Sequence, residues 1–367
     1  MKVAIAHDYL VQYGGAERVV EVIHDLWPDA PLFTSIYDAD AMPDAFRSMD
    51  VRTSFLQNVP GLARHSKLGL PAYPRAFASL ELHGYDVVVS SSSGWAHGVR
   101  TDLDALHIVY CHNPARWLYR SDSYLAGERA LAAPLLPALK RWDRRAASRA
   151  NRYIANSETT RRRILAAYGC PSTVLHPPVD TRRFELGEPD DFFLCASRLT
   201  AYKRIDLAIE ACHELGVPLR VAGDGPARSR LERSAAGRDV DFLGRVSDRE
   251  LASLLGRCRA LIVPAEEDFC ITAVEAMAAG RPVVGYARGG LVETVLPDRT
   301  GVLFASQTLE GVTGAIRRLE RLELEPAAIR RHALRFDTSR FRDELARIVE
   351  DDLGVTVPAA EPAVRAA

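Results

Sequence analysis

PAEEDFCITAVEAMAAGRPVVGYARGG, residues 264–290, passes from loop to helix between two carboxylates, Glu267 and Glu275. The apolar run Leu261, Ile262, Val263 before it reads as a buried strand that stops at Pro264, and residues 273–279 are rich in helix formers. Gly280 and Pro282 end that helix. The helix start, around Phe269, Cys270, Ile271 and Thr272, offers free backbone N–H groups that suit a phosphate. Carboxylates on either side suit hydroxyls: Glu267 those of a sugar, Glu275 those of a ribose, which is the order of groups along a nucleotide sugar. Acidic residues near a helix start also favour the macrodipole with no ligand involved, so the choice between these readings depends on the rest of the chain.

Upstream of this stretch, strand and helix patterns alternate. Strands are expected at residues 192–197, 219–222 and 240–243, with helices at 204–215, 227–235 and 248–257. Before them, residues 177–191, PPVDTRRFELGEPDD, hold three prolines and no periodicity and read as a domain linker. The first half repeats the alternation. Strands are expected at 2–7, 32–37, 51–55, 86–90, 107–111, 152–156 and 173–176, with helices after Gly15 and at 131–150 and 158–167. Such alternation predicts α/β architecture with two doubly wound parallel sheets and ligands bound between them. The expected domains are 1–180, 181–338 and a C-terminal part, 339–367, in which a helix packs back toward the first domain before a disordered Pro/Ala-rich tail.

Size and composition agree with this. At 367 residues the chain exceeds what one core usually serves, and 47% hydrophobic with 26% charged residues is an ordinary soluble balance. Lys+Arg 47 against Asp+Glu 48 argues against a general nucleic-acid partner. Six scattered cysteines without a CxxC pair read as reduced thiols of a cytoplasmic protein, with no metal cluster. The first residues, MKVAIAHDYL, are too short an apolar run for a signal peptide, and no run of about 18 apolar residues suggests a membrane span.

Further features are expected at the same ligand site. Gly14 and Gly15 follow the first strand and open a helix, a loop where backbone can approach an anion; Gly223 and Gly225 follow another strand in the same way. Neither is the G-x-G-x-x-G dinucleotide fingerprint, and tight turns use glycine routinely. His112, in HNPARWLY, falls at a strand end. Arg198 and Lys203, in SRLTAYKRID, offer a fork and a point charge that would neutralise a diphosphate, although surface pairing with Asp206 or Glu210 is the plainer alternative. Residues 57–80 carry Arg64, His65, Lys67 and Arg75 among aromatics, which reads either as a contact for an anionic or lipid-linked acceptor or as solvated surface. The basic face of 131–150 admits the same two readings, with anionic lipid as the ligand.

Here a resemblance becomes specific. The sequence is similar to the retaining glycosyltransferases of family 4, on the glutamate pair Glu267 and Glu275 with seven residues between and on GGAERV, YCHNPARWLY, IANSETTRRRI, SRLTAYKRID, AGDGP, DFLGRVSDREL and AMAAGRPVVGYARGG. The resemblance implies a GT-B fold, two Rossmann-like domains facing across a deep cleft, and a donor such as the GDP-mannose used by bacterial mannosyltransferases of polysaccharide assembly. By resemblance, Gly14 and Gly15 lie near the diphosphate, Arg198 and Lys203 hold it, and Gly223 belongs to the donor site. Glu275 binds ribose, Glu267 the donor sugar, Arg245 and Val246 lie against the base, and His112 orients the sugar, so that His112 and Glu267 are the catalytic pair. The turn Phe269, Cys270, Ile271, Thr272 completes the donor site, and Arg64, His65 and Lys67 face the acceptor.

The implied acceptor is a saccharide or a polyprenyl-diphosphate-linked one, with peripheral contact at the inner membrane face. No cofactor or metal is expected: Asp38-Ala39-Asp40 and Asp102-Leu103-Asp104 resemble the DxD of metal-using transferases out of context. One departure stands out: the family pattern has glycine after the phenylalanine, where this chain has Cys270, which bears on the donor sugar. The competing readings are a UDP-sugar transferase, a UDP-sugar epimerase, a non-catalytic nucleotide-sugar-binding subunit and, poorly, a Rossmann dehydrogenase.

Overall fold

The structure, a computed structural model, describes residues 1–64, 69–119 and 134–354. His65 and Lys67, the start of the helix expected at 131–150, and the tail from 355 lie outside them. The chain forms two compact units, Met1–Pro178 joined by the segment from Ser339, and Val179–Thr338.

In the first unit the strands are β1 (Val3–His7), β2 (Leu32–Thr34), β3 (Val51–Thr53), β4 (Val87–Ser92), β5 (Leu106–Cys111), β6 (Arg152–Ala155) and β7 (Ser172–Val174). They form one parallel sheet in the order β3-β2-β1-β4-β5-β6-β7. Its helices are α1 (Gly15–Leu26), α2 (Tyr73–Ala78), α3 (Arg116–Tyr119), α4 (Leu136–Ala147) and α5 (Glu158–Tyr168). Central strands β1 and β4 are buried along their whole length, as parallel strands covered on both faces must be.

The second unit holds β8 (Phe193–Ala196), β9 (Leu219–Ala222), β10 (Val240–Gly244), β11 (Ala260–Val263), β12 (Val283–Tyr286) and β13 (Gly301–Phe304), parallel in the order β10-β9-β8-β11-β12-β13. Its helices are α6 (Ile205–Leu215), α7 (Arg228–Ser234), α8 (Asp248–Arg257), α9 (Ile271–Ala278), α10 (Leu291–Thr294), α11 (Leu309–Leu319) and α12 (Pro326–Ala333). Both units are thus Rossmann-like doubly wound sheets. The last helix, α13 (Thr338–Leu353), places Phe341, Leu345, Ile348 and Val349 on one stripe against Val3, Ile5, Val87 and Tyr110, so it belongs to the first unit's core.

The structure refines the sequence reading at three places. The division between the units, Pro178/Val179, falls within the linker expected at 177–191, and the stretch after it packs on the second unit: Val179 bridges to Asp337, its N–H donating to Phe336 O at 3.0 Å, and Phe184 is 1% exposed. The apolar Val179 and Phe184 inside a polar run found cover on the second unit. The helix expected at 131–150 runs over Leu136–Ala147, and its basic run encloses a buried Asp143 that accepts from Tyr119 Oη at 2.7 Å. Strands β12 (VVGY) and β13 (GVLF) had no counterpart in the sequence reading, because each short run carries a glycine that interrupts the apolar strand pattern.

Candidate active site

In each sheet the strand order reverses once, between β1 and β4 and between β8 and β11. Connections leave to opposite faces there, and a crevice opens at the strand C-termini. Gly14 and Gly15 fall at the first of these places and Arg198, Lys203, Glu267 and the start of α9 at the second, whereas His112 follows β5, Gly223 follows β9, and Arg245 and Val246 follow the edge strand β10.

In the second unit, Arg198 is exposed just past β8, and Lys203 closes a short 3₁₀ turn, Ala201–Lys203. Lys203 Nζ donates to Glu267 Oε1, which follows the neighbouring strand β11; the two side chains are 14% and 12% exposed. Burial alone would lower the Lys203 pKa, but the facing Glu267 carboxylate outweighs it and the ammonium is held above its usual range. Arg204 rather than Lys203 takes Asp206, at 3.1 Å, so the surface alternative describes the neighbouring residue. Gln307 Nε2 fixes Pro264 O at 2.7 Å and steadies the turn out of β11.

Cys270 sits directly before α9 with φ 73, in the left-handed region that glycine adopts without cost. The conformation explains the preference for glycine in the pattern this sequence departs from. Burial, then the Glu267 carboxylate, pushes the Cys270 thiol up to about 12, so it stays protonated and is no nucleophile. Ile271 and Thr272 form the first helical turn, Phe269 is buried beneath it, and the Glu275 side chain is 4% exposed one turn on.

Two glycines that sequence reasoning passed over shape this turn. Gly289 has φ +68 and a Cβ there would stand 1.9 Å from Glu267 O; one on Gly290 would stand 2.4 Å from Phe269 Cα. Gly290 N–H donates to Glu267 O at 2.8 Å. The loop after β12 therefore braces the Glu267 backbone, and the GG pair at the end of the quoted stretch was the available signal. Gly223 is equally constrained, a Cβ falling 1.9 Å from Ser197 O. Its lack of a side chain lets the β9 end pass over the β8 end. Arg245 is exposed and Val246 half-buried after the edge strand β10, away from the Lys203–Glu267 pair in strand order.

In the first unit, Gly14 caps α1 with an ordinary extended backbone, φ −145, and its N–H donates to Glu17 Oε2 at 2.9 Å. Gly15 is exposed at the first helical position. His112 follows β5, is 9% exposed, and has Nε2 2.8 Å from Ser91 Oγ of β4; the Tyr110 ring meets it edge-on at 5.2 Å. Ser91 in turn meets His7, and His7 meets Glu17. Asp8, buried, accepts backbone N–H groups of Ser93, Trp95 and Ala96 at 2.6, 3.0 and 2.6 Å, pinning the turn after β4. His7, Asp8, Glu17 and Ser91 were not singled out from the sequence; the HD pair closing the first strand was their only local sign.

Arg64 is exposed in a turn of the first unit. Among the described residues no group of three or more His, Cys, Asp or Glu is arranged to hold a metal. The two DxD look-alikes have local tasks: Asp38 accepts from Asp40 N–H at 3.2 Å, and Asp102 from Gly84 N–H at 2.7 Å. A groove of about 810 Å³ lies at the opposite ends of the first sheet's strands, lined by Trp27, Pro31, Tyr85 and Arg342 among others, and holds none of these residues.

Residues 179–335 match the family model for glycosyl transferases group 1, and residues 13–183 that for glycosyltransferase family 4. A GDP-mannose-dependent alpha-(1-6)-phosphatidylinositol dimannoside mannosyltransferase of Mycobacterium tuberculosis is 39% identical over 108 residues, 28% of this chain and 28% of that protein. The chain thus spans less than a third of that relative's length. A D-inositol 3-phosphate glycosyltransferase of Geodermatophilus obscurus is 28% identical across 86% of this chain and 78% of its own length. Among solved structures, Anabaena Alr3699/HepE in complex with UDP aligns with TM-score 0.72 at 18% identity, over 96% of this chain and 100% of that one. Sucrose-phosphate synthase from Thermosynechococcus elongatus aligns with TM-score 0.73 at 18% identity, over 96% and 100%. At that identity the likeness concerns the fold.

Proposed function

The chain belongs to the group 1 glycosyltransferases of family 4, and from that premise we propose that it is a retaining transferase moving a hexose, mannose from GDP-mannose foremost, to a hydroxyl of a saccharide or lipid-linked saccharide. The observation that carries the reading is the Lys203–Glu267 pair beside the start of α9, at the point where β8 and β11 diverge. A cation, a carboxylate and a helix start in one place match a diphosphate flanked by hydroxyls.

In this reading Arg198 and Lys203 hold the diphosphate, the first turn of α9 adds N–H groups, Glu267 accepts from the sugar and Glu275 from the ribose. The acceptor oxygen bonds to the anomeric carbon as the bond from that carbon to the diphosphate oxygen breaks. The acceptor proton passes to the leaving phosphate oxygen on the same face. No enzymic nucleophile is needed, and the protein's work is positioning and stabilising leaving-group charge. GDP-mannose is favoured by the activity of the mycobacterial relative, whereas the UDP bound to the Anabaena structure supports a UDP-sugar donor as the second reading.

No helix among the described residues is long and apolar enough to cross a membrane. A lipid-linked acceptor would be met at the cytoplasmic membrane face through residues near Arg64. A thermal-shift panel of nucleotide sugars tests the donor, since preferential binding to the folded state raises apparent stability. GDP-mannose is expected to raise the melting temperature more than UDP-sugars do; the reverse order overturns the donor assignment. Turnover of donor without any acceptor would mark an epimerase instead.

A further inference from the structure

Four polar side chains of the first unit form a continuous chain that the proposed reaction does not by itself require. Glu17 comes from the first turn of α1, His7 from the end of β1, Ser91 from β4, and His112 from the loop after β5. Their exposures are 4%, 2%, 0% and 9%, so water does not compete for the hydrogen bonds. Glu17 Oε1 lies 3.4 Å from His7 Nε2, His7 Nδ1 lies 3.0 Å from Ser91 O and 3.2 Å from Ser91 Oγ, and Ser91 Oγ lies 2.8 Å from His112 Nε2.

We propose that Glu17, His7 and Ser91 are a positioning relay that holds His112 in its Nδ1-protonated tautomer and ties that state to the Gly14 turn at the start of α1. The inference rests on the reading that places His112 beside the donor sugar. The argument is one of hydrogen-bond polarity. A backbone carbonyl only accepts, so His7 Nδ1 must carry a proton to meet Ser91 O. Its Nε2 faces a carboxylate and must donate as well. Both demands are met by the imidazolium. The Nδ1 proton is then shared with Ser91 Oγ, which has accepted and directs its own single proton to His112 Nε2. A ring nitrogen that accepts leaves the imidazole proton on the other nitrogen, Nδ1.

If His7 loses its proton, the polarity reverses. The carboxylate keeps the remaining proton on Nε2, the bare Nδ1 draws the Ser91 hydroxyl proton, and Ser91 Oγ must then accept from His112 Nε2–H. The charged groups around His7 favour the first state: Glu17 faces it from α1 and Asp8 adjoins it in the chain, while the Tyr110 ring of β5 meets His112 edge-on. Burial opposes the cation, but Glu17, Asp8 and the Ser91 carbonyl outweigh it, so the His7 pKa is raised above 6.5. Glu17 is itself aimed by the Gly14 N–H, which is how the glycine turn enters the relay.

The test is ¹⁵N-histidine labelling of the full chain and long-range ¹H–¹⁵N spectra, with His7→Gln and His112→Gln used to assign signals. At about pH 7 we expect both His7 nitrogens protonated, and His112 with Nδ1 protonated and Nε2 bare. As pH rises through the His7 transition, the His112 tautomer should invert in the same step. Glu17→Gln should move that transition down by roughly one pH unit or more, and lower kcat about 10-fold or more with the donor KM nearly unchanged. A neutral His7 at that pH, an Nε2-protonated His112, or a His112 tautomer indifferent to His7 overturns the relay. Where a variant does not fold, the two rings are assigned in the wild-type protein by through-bond correlation to its sequentially assigned backbone, and the wild-type spectra decide the outcome. Failure of the wild-type protein to bind any nucleotide sugar would remove the proposed function and leave the tautomer result standing.

Discussion

The two strand-reversal points solve the same problem with opposite chemistry. In the first unit, imidazoles, a hydroxyl and a carboxylate are sealed in a hydrogen-bonded line from Glu17 to His112. In the second, Lys203 and Glu267 meet as an ion pair that stays partly open to solvent, next to a strained helix start at Cys270. A sealed line presets geometry and tolerates little change. An open pair satisfies itself until a ligand arrives, when an ammonium with three donors can serve phosphate and carboxylate together. In the proposed reaction the first arrangement would serve orientation and the second charge compensation.

The strongest way to break this comparison is Lys203→Ala. It strips the charge from the diphosphate site and leaves the Glu267 carboxylate without its cation, so transfer should fall by about 10³-fold or more while the melting profile stays cooperative. Near-normal turnover in a direct transfer assay would remove the division of labour.

Next in size is a pair of glycine substitutions. Gly289→Ala places a methyl 1.9 Å from Glu267 O at a residue with φ +68, and should cost roughly 3 kcal/mol with loss of donor binding. Gly14→Ala keeps an allowed backbone and meets only Glu17 Oε2, at 3.2 Å, so unfolding by denaturant should show a change within about 0.5 kcal/mol. Equal costs would mean that the two glycine turns are alike after all.

The smallest expected effect is that of Cys270→Gly. Releasing a non-glycine residue from φ 73 should stabilise by up to about 1 kcal/mol, a melting rise of ~2–4 °C. Run through the same nucleotide-sugar panel, this variant also asks whether the thiol shapes donor choice; an unchanged order of donors assigns Cys270 to conformation alone.

Much of this was legible in the chain because central parallel strands are continuous apolar runs. Residues 2–7, 219–222 and 261–263 declare β1, β9 and β11 with ends within a residue of those observed. What was illegible has physical causes. Phe184 reads as part of a polar connector until the second unit supplies the surface that buries it. Glycine-bearing β12 and β13 are strands because their neighbours hydrogen-bond to them, which no local pattern records.

By itself, the sequence determined the alternation of strand and helix, the glutamate spacing of Glu267 and Glu275, the cations at Arg198 and Lys203, and the oddity of Cys270. All are properties of residue type and local order. Only the tertiary structure decided which of them meet. Lys203 reaches Glu267 across 64 residues because β8 lies beside β11, and His7 reaches Ser91 across 84 because β1 lies beside β4. Strand adjacency in a doubly wound sheet is set by the whole sheet's hydrogen bonding and burial, and it is that adjacency that turns separate polar residues into a relay in one unit and an ion pair in the other.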